Sequence, residues 1–560
     1  MFIKRTHSKN FTYLSIAETY RDGGKVKHRI IAPLGREDEL KKDLTLERLV
    51  SSIMRVSGVE LPTPTGQADN ADELVSLKDI SEKSRRIWGP VKVYRKIWDE
   101  LGLSTILGDT CRSAQRDFDI AETTFLISLS RLMRPSSKLK VYQQQERYLG
   151  IDPTKLHHLY RALDHLAAAK EKIEGAVYER QRDLFSLTID VVFYDVTTLH
   201  FESVQSDELR NFGYSKDAKF GEVQVVVGLL VDTEGRPVGF DVYPGNTFEG
   251  HTLKSALTKL KKRFNIGKVI VVADRGINSK INLNCIKEMG YDYIVGSRLR
   301  NLPKSYHKEI QNRHDYEPFS EGADDTTERS LYKIIQYDNK VVVEDDLGNK
   351  SSKCLKEIIL CTWSPTRARK DSFDRERLIK KAHDLVASPS KIYTKKGSRR
   401  FINADTPDKL SIDQNRIAED AKWDGFYGIQ SSDTKLSHGQ ILHAYHTLWK
   451  IEESFRILKS TLQTRPIFHW TPSRIMGHLV TCFLAFLIER TLEIKLKKAN
   501  LISAPEQVRE ALDSLQVSTL EIGDPSISLY LPSTPSSLAK DILKALKIPM
   551  ANKISDKSPI

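Results

Sequence analysis

Three polar side chains recur at seven-residue intervals late in the chain: Tyr445, Glu452 and Lys459. Seven residues is close to two turns of an α-helix, so on a helix all three project from one stripe. The stretch from Ser437 to Lys459 carries the start signals of such a helix. Ser437 and Gln440 have the S-x-x-Q spacing of a capping box, and Leu436 and Ile441 flank it as a hydrophobic staple does. A carboxylate between a phenol and an ammonium on one face suits gripping phosphates beside a metal ion better than it suits packing.

Two aspartates upstream extend that chemistry. Asp195 follows Val191-Val192-Phe193-Tyr194, and Asp274 follows Val-Ile-Val-Val-Ala. A charged residue straight after an apolar strand is expected at the sheet's edge, where open sheets place ligand sites. Either aspartate alone is more often a turn or cap residue. With the helix downstream, Asp195, Asp274 and Glu452 become a set of hard carboxylate oxygens, suited to Mg²⁺ or Mn²⁺ rather than zinc.

The elements that must position these groups show in the hydrophobic period. Leu187 to Phe201, Val223 to Val231, Pro237 to Tyr243, Val269 to Ala273 and Tyr293 to Val295 are β-rich runs. Helical patterns at Thr252 to Arg263 and Lys280 to Met289 interrupt them. That order predicts a meander of antiparallel strands, then a crossover onto parallel ones, in a mixed sheet packed with helices. From Asp274 to Glu452 the chain runs 452 − 274 = 178 residues, too far for a simple connection. Much of that gap reads as β: Ser330 to Gln336, Lys340 to Glu344 and Ile358 to Trp363. Glu344-Asp345-Asp346 before Gly348-Asn349 reads as a solvated hairpin turn rather than a metal site.

Tyr445-x2-Leu448-x3-Glu452-x6-Lys459 resembles the Tyr-Arg-Glu-Lys signature of bacterial insertion-sequence DDE transposases, of the insertion-sequence-four-like branch, with Trp449, Ile451 and Phe455 in matching places. Leu448 stands where that signature has arginine, and Arg456, one turn beyond Glu452, is a candidate substitute. Tyr194-Asp195-x-Thr197-Thr198 and Ala273-Asp274-Arg275-Gly276 resemble the family's first two catalytic blocks, and Pro244-Gly245-Asn246-Thr247-x-Glu249 a further block, read as a turn shaping the site. The resemblance spans about 187 to 490. It implies an α/β fold: a ribonuclease-H-like mixed sheet flanked by helices, interrupted by a β-rich insertion and preceded by a mainly helical region.

It also implies cut-and-paste transposition by metal-dependent strand cleavage and strand transfer. Asp195, Asp274 and Glu452 are then the catalytic and metal-binding set for two ions, Mg²⁺ or Mn²⁺. Tyr445, Lys459 and Arg456 hold DNA backbone, and Trp423 is a candidate to hold a flipped base. The partners implied are double-stranded DNA, as terminal inverted repeats and target, and a second copy of the chain in the synaptic complex. Two other readings share the motifs: a metal-dependent nuclease or resolvase on the same core, and a non-catalytic DNA-binding protein derived from a transposase. Strand joining separates the first; the intact carboxylate set speaks against the second.

Composition is compatible with this. Lys+Arg 87 against Asp+Glu 74 leaves a net +13, a balance that suits nucleic acid without fixing a fold. The five cysteines are scattered with no CxxC pair, which argues against a disulfide framework or thiolate zinc site and for a reducing cytosol; the resemblance implies the bacterial cytoplasm, at the nucleoid. Met-Phe-Ile-Lys-Arg-Thr-His lacks the apolar core of a signal peptide. The most apolar run, Ile475 to Ile488, is shorter than a bilayer span and is expected as a buried helix.

The expected organisation is a small β-element with a Gly23-Gly24 turn over 1–60, a linker over 61–85, a helical, DNA-end-binding region over 86–183, a catalytic core over 184–300 and 436–495, a β-rich insertion over 301–435, and a partly disordered C-terminal region over 496–560. His157, His158 and His165 lack zinc-finger spacing and read as ordinary surface histidines. The basic runs Arg367-Ala-Arg369-Lys370 and Lys395-Lys396-Gly-Ser-Arg399-Arg400 read as support for a phosphate-binding surface.

Overall fold

The computed structural model describes the chain except residues 9–10, 24, 43–47, 51, 54–55, 57–79, 113–117, 186–190, 202–204, 214–220, 248, 265–268, 319–329, 345–349, 388–396, 407–408, 465–466, 523–526, 552, 557 and 559–560. The chain divides into two compact units, Met1–Lys83 with Leu520–Leu529, and Ser84–Thr519 with Tyr530–Ile560. The first unit is an antiparallel sheet of β1 (Phe2–Ser8), β2 (Phe11–Asp22) and β3 (Lys25–Arg36), followed by a short helix α1 (Glu37–Lys42). Gly23 turns β2 into β3 at φ +56°, a conformation that glycine adopts without a Cβ penalty. The linker expected from 61 lies outside the described residues as far as 79, and Ile80–Ile87 is a strand.

The second unit begins with helices α2 (Gly89–Glu100), α3 (Leu103–Thr110), α4 (Ile120–Met133), α5 (Lys138–Gln144) and α6 (Leu156–Phe185). The sheet follows. Strand β4 (Val191–His200) pairs antiparallel with β5 (Gln224–Val231), which pairs antiparallel with β6 (Pro237–Pro244). Helix α7 (Glu249–Phe264) returns the chain to β7 (Ile270–Ala273), parallel to β4, and α8 (Lys280–Glu288) returns it to β8 (Asp292–Gly296), parallel to β7. These elements match the runs read from the sequence. Connections of this length and kind are what parallel pairing requires.

The β-rich segment expected as an interruption continues this same sheet. Strands β9 (Glu317–Pro318), β10 (Leu331–Glu344) and β11 (Lys350–Trp363) are followed by helix α9 (Pro365–Ala387) and strand β12 (Phe426–Ser431). Strand β12 pairs with β8 on one side and β11 on the other, giving nine strands in the order β9-β10-β11-β12-β8-β7-β4-β5-β6. A buried carboxylate ties the junction. Glu357 of β11 accepts from Tyr293 of β8, Gln430 of β12 and Asn339 of β10. Register pairs Glu344 with Lys350, as the expected hairpin requires, and the five residues between them lie outside the described set.

Alternation along the strands divides the core in two. Val192, Tyr194 and Val196 face Leu253, Leu257 and Ile286 of α7 and α8. Phe193 and Leu199 face the other way, with Val225, Val227, Leu229 and Val231, towards the helix α10 (Pro472–Lys498). That helix also packs on α2, α4, α6 and β6, so the helical region and the sheet share one core. Helix α10 is apolar and long enough to cross a membrane by length and composition, yet 94% of its most apolar window is buried inside the protein. A helix apolar all round is what a central core position demands. The C-terminal region was expected to be partly disordered. Within it, helix α11 (Ser537–Ala545) buries Ala539, Ile542 and Leu543 in the main core, because its short apolar stripe meets a partner.

Two predictions follow from the α10 packing. A Cβ on Gly477 would sit 2.0 Å from the Leu163 carbonyl oxygen of α6, so Gly477→Ala must force the two backbones apart. It should cost roughly 1–3 kcal/mol or more in denaturant unfolding; an unchanged midpoint would mean that the helices do not cross so closely. Glu489, 2% exposed on α10, accepts from the Tyr94 hydroxyl at 3.2 Å, and burial, then Glu493, pushes it up to about 8. The folded value lies above the ordinary 4.5, so its contribution to stability is full below that value and is lost as pH rises through about 8. Glu489→Gln should flatten the stability profile between those values and stabilise the protein at pH 9 by on the order of a few kcal/mol. An identical pH profile in the variant would show that the carboxyl does not titrate there.

Candidate active site

Strand pairing places the two aspartates. In the parallel pair, Phe193 of β4 is level with Val272 of β7, so two residues on Asp195 is level with Asp274. Val272 belongs to the α10 side of the sheet, as does Phe193, and Asp195 and Asp274 share that parity. Neighbouring strands lie about 4.8 Å apart. Continued two residues past the end of the ladder, that register puts Asp195 and Asp274 at the same level and parity, with Asp274 already in the turn after β7. Asp195 was expected at a strand end. It lies inside β4, paired with Leu229, because β5 carries the ladder on to His200 after β7 has stopped at Ala273.

The expected single helix from Ser437 is two helices and a turn. Helix α12 (His438–His446; the helices α10 and α11 named above follow it in the chain) opens with the full capping box, Ser437 on the Gln440 amide at 3.3 Å and Gln440 on the Ser437 amide at 2.9 Å. The chain then tightens at Thr447 and Leu448, where the amides of Leu448, Lys450 and Ile451 each bond the carbonyl three residues back. Helix α13 (Trp449–Arg456) follows, and a π-helical turn over Ile457–Thr461 ends the stretch. Such interruptions recur at functional sites because they change the phase of a helix face.

The phase change divides the expected stripe. Tyr445 and Glu452 line one open cleft of about 360 Å³ with Asp274, Arg275, Tyr427 and Leu448. Lys459 instead lines a small apolar cavity with Thr197 and Leu199, the residues that follow Asp195 on its own face of β4. Arg456 is exposed and pairs with Glu453 at 3.7 Å, and it does not line the cleft. Leu448 is 8% exposed and belongs to the main core, so the position of the signature arginine is taken by apolar packing. Pro244-Gly245 was expected to shape the site. Its turn packs against Gln224 and Asn211 at the β6 edge and contributes no residue to the cleft.

Close backbone approaches set the geometry. Gly276 donates its amide to Asp274 Oδ1 at 2.7 Å, and a Cβ there would lie 2.9 Å from the same oxygen. A Cβ on Gly296 would meet the Tyr445 hydroxyl at 2.7 Å. Tyr445 exchanges a hydrogen bond with the Tyr427 hydroxyl at 2.7 Å. Burial first, then Tyr427 and the charge of Asp274, hold the Tyr445 phenol far above its usual range, so it stays a neutral donor. Among the described residues, the exposed Glu452 carboxylate has no ion-pair partner and Asp274 has only the Gly276 amide. Among the described residues, no three His, Cys, Asp or Glu side chains stand close enough to hold a metal ion as they are.

A family model described as the transposase DDE domain matches residues 186–488, more than half of the chain. The chain belongs to the DDE transposases. A second model, the N-terminal domain of IS1634 family transposases, matches residues 3–62, identifying the transposase as that of an insertion sequence. The cryo-EM structure of the piggyBac transposase synaptic complex with hairpin DNA is similar at a TM-score of 0.34 and 9% identity, covering 76% of this chain and 80% of that one. Comparison with curated proteins gives no match.

Beside the carboxylate cleft the transposase has a second, larger one of about 510 Å³, which shares Arg275 and Tyr427 with it. Six arginines, 275, 298, 300, 367, 375 and 400, face four aspartates in it. Arg375 is paired with Asp424, and Arg300 and Arg400 with Asp420. Among the described residues, Arg275 and Arg298 have no carboxylate partner, so the cationic end lies next to Asp274. Trp423 lines this cleft half-buried, with its ring edge-on to His307 at 4.9 Å. Of the basic runs, Arg367 and Arg400 reach the cleft, while Lys395 and Lys396 lie outside the described residues. Arg298 and Arg300 had no sequence signal, whereas Arg275, adjacent to Asp274, and Arg367 and Arg400 in the basic runs were legible beforehand. Gly276→Ala should lower strand cleavage on the order of a hundredfold by displacing the Asp274 carboxylate, with little change in melting temperature. Full activity would show that Asp274 does not need this turn.

Proposed function

We propose that this transposase cleaves and joins DNA at Asp195, Asp274 and Glu452, on a ribonuclease-H-like core. One observation carries the reading: Asp274 shares a cleft with Glu452 and Tyr445, and the register of β4 with β7, continued two residues, brings Asp195 level with Asp274. The donor set fits two Mg²⁺ or Mn²⁺ ions, since all three ligands are hard oxygens and two of them are adjacent by register. When bound, such ions supply Lewis-acid charge for an in-line phosphoryl displacement. Glu452 sits on a helix bounded by a tightened turn and a π turn, which lets it be the carboxylate that closes the set.

The remaining residues position DNA. Tyr445, kept neutral, donates a hydrogen bond to backbone phosphate in the cleft, while Lys459 and Arg456, both outside it, contribute charge to DNA beyond the cleft. Arg275 and Arg298 extend the phosphate track into the arginine cleft, and Trp423 offers a ring there for an unstacked base. The substrates are the element's terminal inverted repeats and a target duplex. Bringing two ends together calls for a homodimer on DNA, and the helical region over 86–183 is the candidate reader of the ends.

The test is cleavage and strand transfer on DNA bearing the element's own ends, with Mg²⁺ or with EDTA. Asp195→Ala, Asp274→Ala and Glu452→Ala should each lose about a thousandfold or more, since a metal site supplies several kcal/mol and each 1.4 kcal/mol is tenfold in rate. DNA binding should survive. Retained cleavage in any of the three would remove that residue from the site.

A further inference from the structure

The helical half of the second unit holds a group of cations on which strand cleavage does not call. Arg131 of α4 and Lys138 at the start of α5 are 7% and 2% exposed. They line a cavity of about 120 Å³ with Ser136, Tyr160, His469 and His478. Arg131 is committed in part: Nη1 donates to the carbonyls of Leu462 and Gln463 at 3.3 and 3.0 Å. Lys138 is not. Among the described residues its ammonium has no hydrogen-bond or ion-pair partner, and none of the residues lining the cavity is a carboxylate. His478 holds the Thr464 carbonyl through Nε2 at 3.1 Å, which leaves Nδ1 buried without a partner.

Two buried cations facing a polar cavity with no acid are costly unless something negative enters. Burial, then Arg131, lowers the Lys138 ammonium to about 7, and burial with the same cations lowers His469 to about 3. Phe468, which lines the cavity, is 62% exposed, and Trp470, two residues on in sequence with Arg210 over its ring, is 59% exposed. Exposed aromatic faces beside a cationic pocket are the usual means of holding a nucleic-acid strand.

We propose that this cavity is a phosphate-binding site, separate from the carboxylate cleft, that takes a backbone phosphate of a DNA strand on Lys138 and Arg131. Phe468 and Trp470 stack the neighbouring bases. Inorganic phosphate offers the same oxygens, so the test must separate the two sources. The site uses none of the carboxylates, and a Glu452→Gln background, which rests on the role proposed for Glu452, with EDTA present, keeps the DNA uncut while it is examined.

In that background, Lys138→Met and Lys138→Arg are compared with the parent chain. Melting temperature is followed against inorganic phosphate, with chloride at equal ionic strength as control. Affinity for a short single strand and a duplex is followed by anisotropy against salt. Lys138→Met should fold, melting at or above the parent without phosphate because an unpaired buried charge is gone. It should bind DNA about tenfold more weakly, with a salt slope smaller by about one, and Lys138→Arg should restore both. If phosphate raises the parent's melting temperature but not that of Lys138→Met, while DNA affinity is unchanged, the site stands with free phosphate as its occupant. If Lys138→Met matches the parent towards both probes, or melts several degrees lower, Lys138 is a structural group and the proposal fails.

Discussion

Parallel pairing of β4 with β7 is the constraint on which the rest of the site depends. Side chains in a strand have a period of two, so a one-residue slip would send Asp195 to the opposite face and leave Asp274 alone. The slip is resisted from both sides of the sheet. Val192, Tyr194 and Val196 are committed to one apolar layer and Phe193 and Leu199 to the other, and both layers are buried. The aspartates thus owe their juxtaposition to apolar neighbours that do no chemistry.

The same economy governs the helical side. Capping at Ser437 sets where α12 begins, and the tightened turn at Thr447 sets which way α13 faces. Glycines at 276 and 296 let Asp274 and Tyr445 come closer to backbone than any side chain would allow. The cleft is held open by what is missing at these two positions as much as by what is present around it.

A single apolar helix, α10, makes the helical region and the sheet one body, and it carries the buried polar groups with it. Glu489 and His478 sit within it as neutral groups because desolvation disfavours their charged forms. The Glu357 network does comparable work at the sheet junction, where four strands share one buried carboxylate. Extending the catalytic sheet in this way leaves the arginine cleft continuous with the carboxylate cleft instead of on a separate domain.

Local signals carried a good deal of this. The strand runs from β4 to β8, the capping box and the buried nature of Ile475 to Ile488 were all readable, because period, caps and short motifs are properties of neighbouring residues. The assumption of a regular helix through Lys459 failed, since a tightened turn and a π turn are decided by packing against the sheet. The short apolar stripe near Leu538 to Leu546 did not show by itself that it would join the main core, because a weak amphipathic stripe is stable only where a core meets it. The phosphate-pocket cations and the arginines 298, 300, 367 and 400 were invisible as groups, being gathered from segments far apart in the chain. Sequence by itself determined which groups are available and which local elements hold them. Only the tertiary structure decided which faces meet, because register and burial are settled between segments, where the apolar area is removed from water.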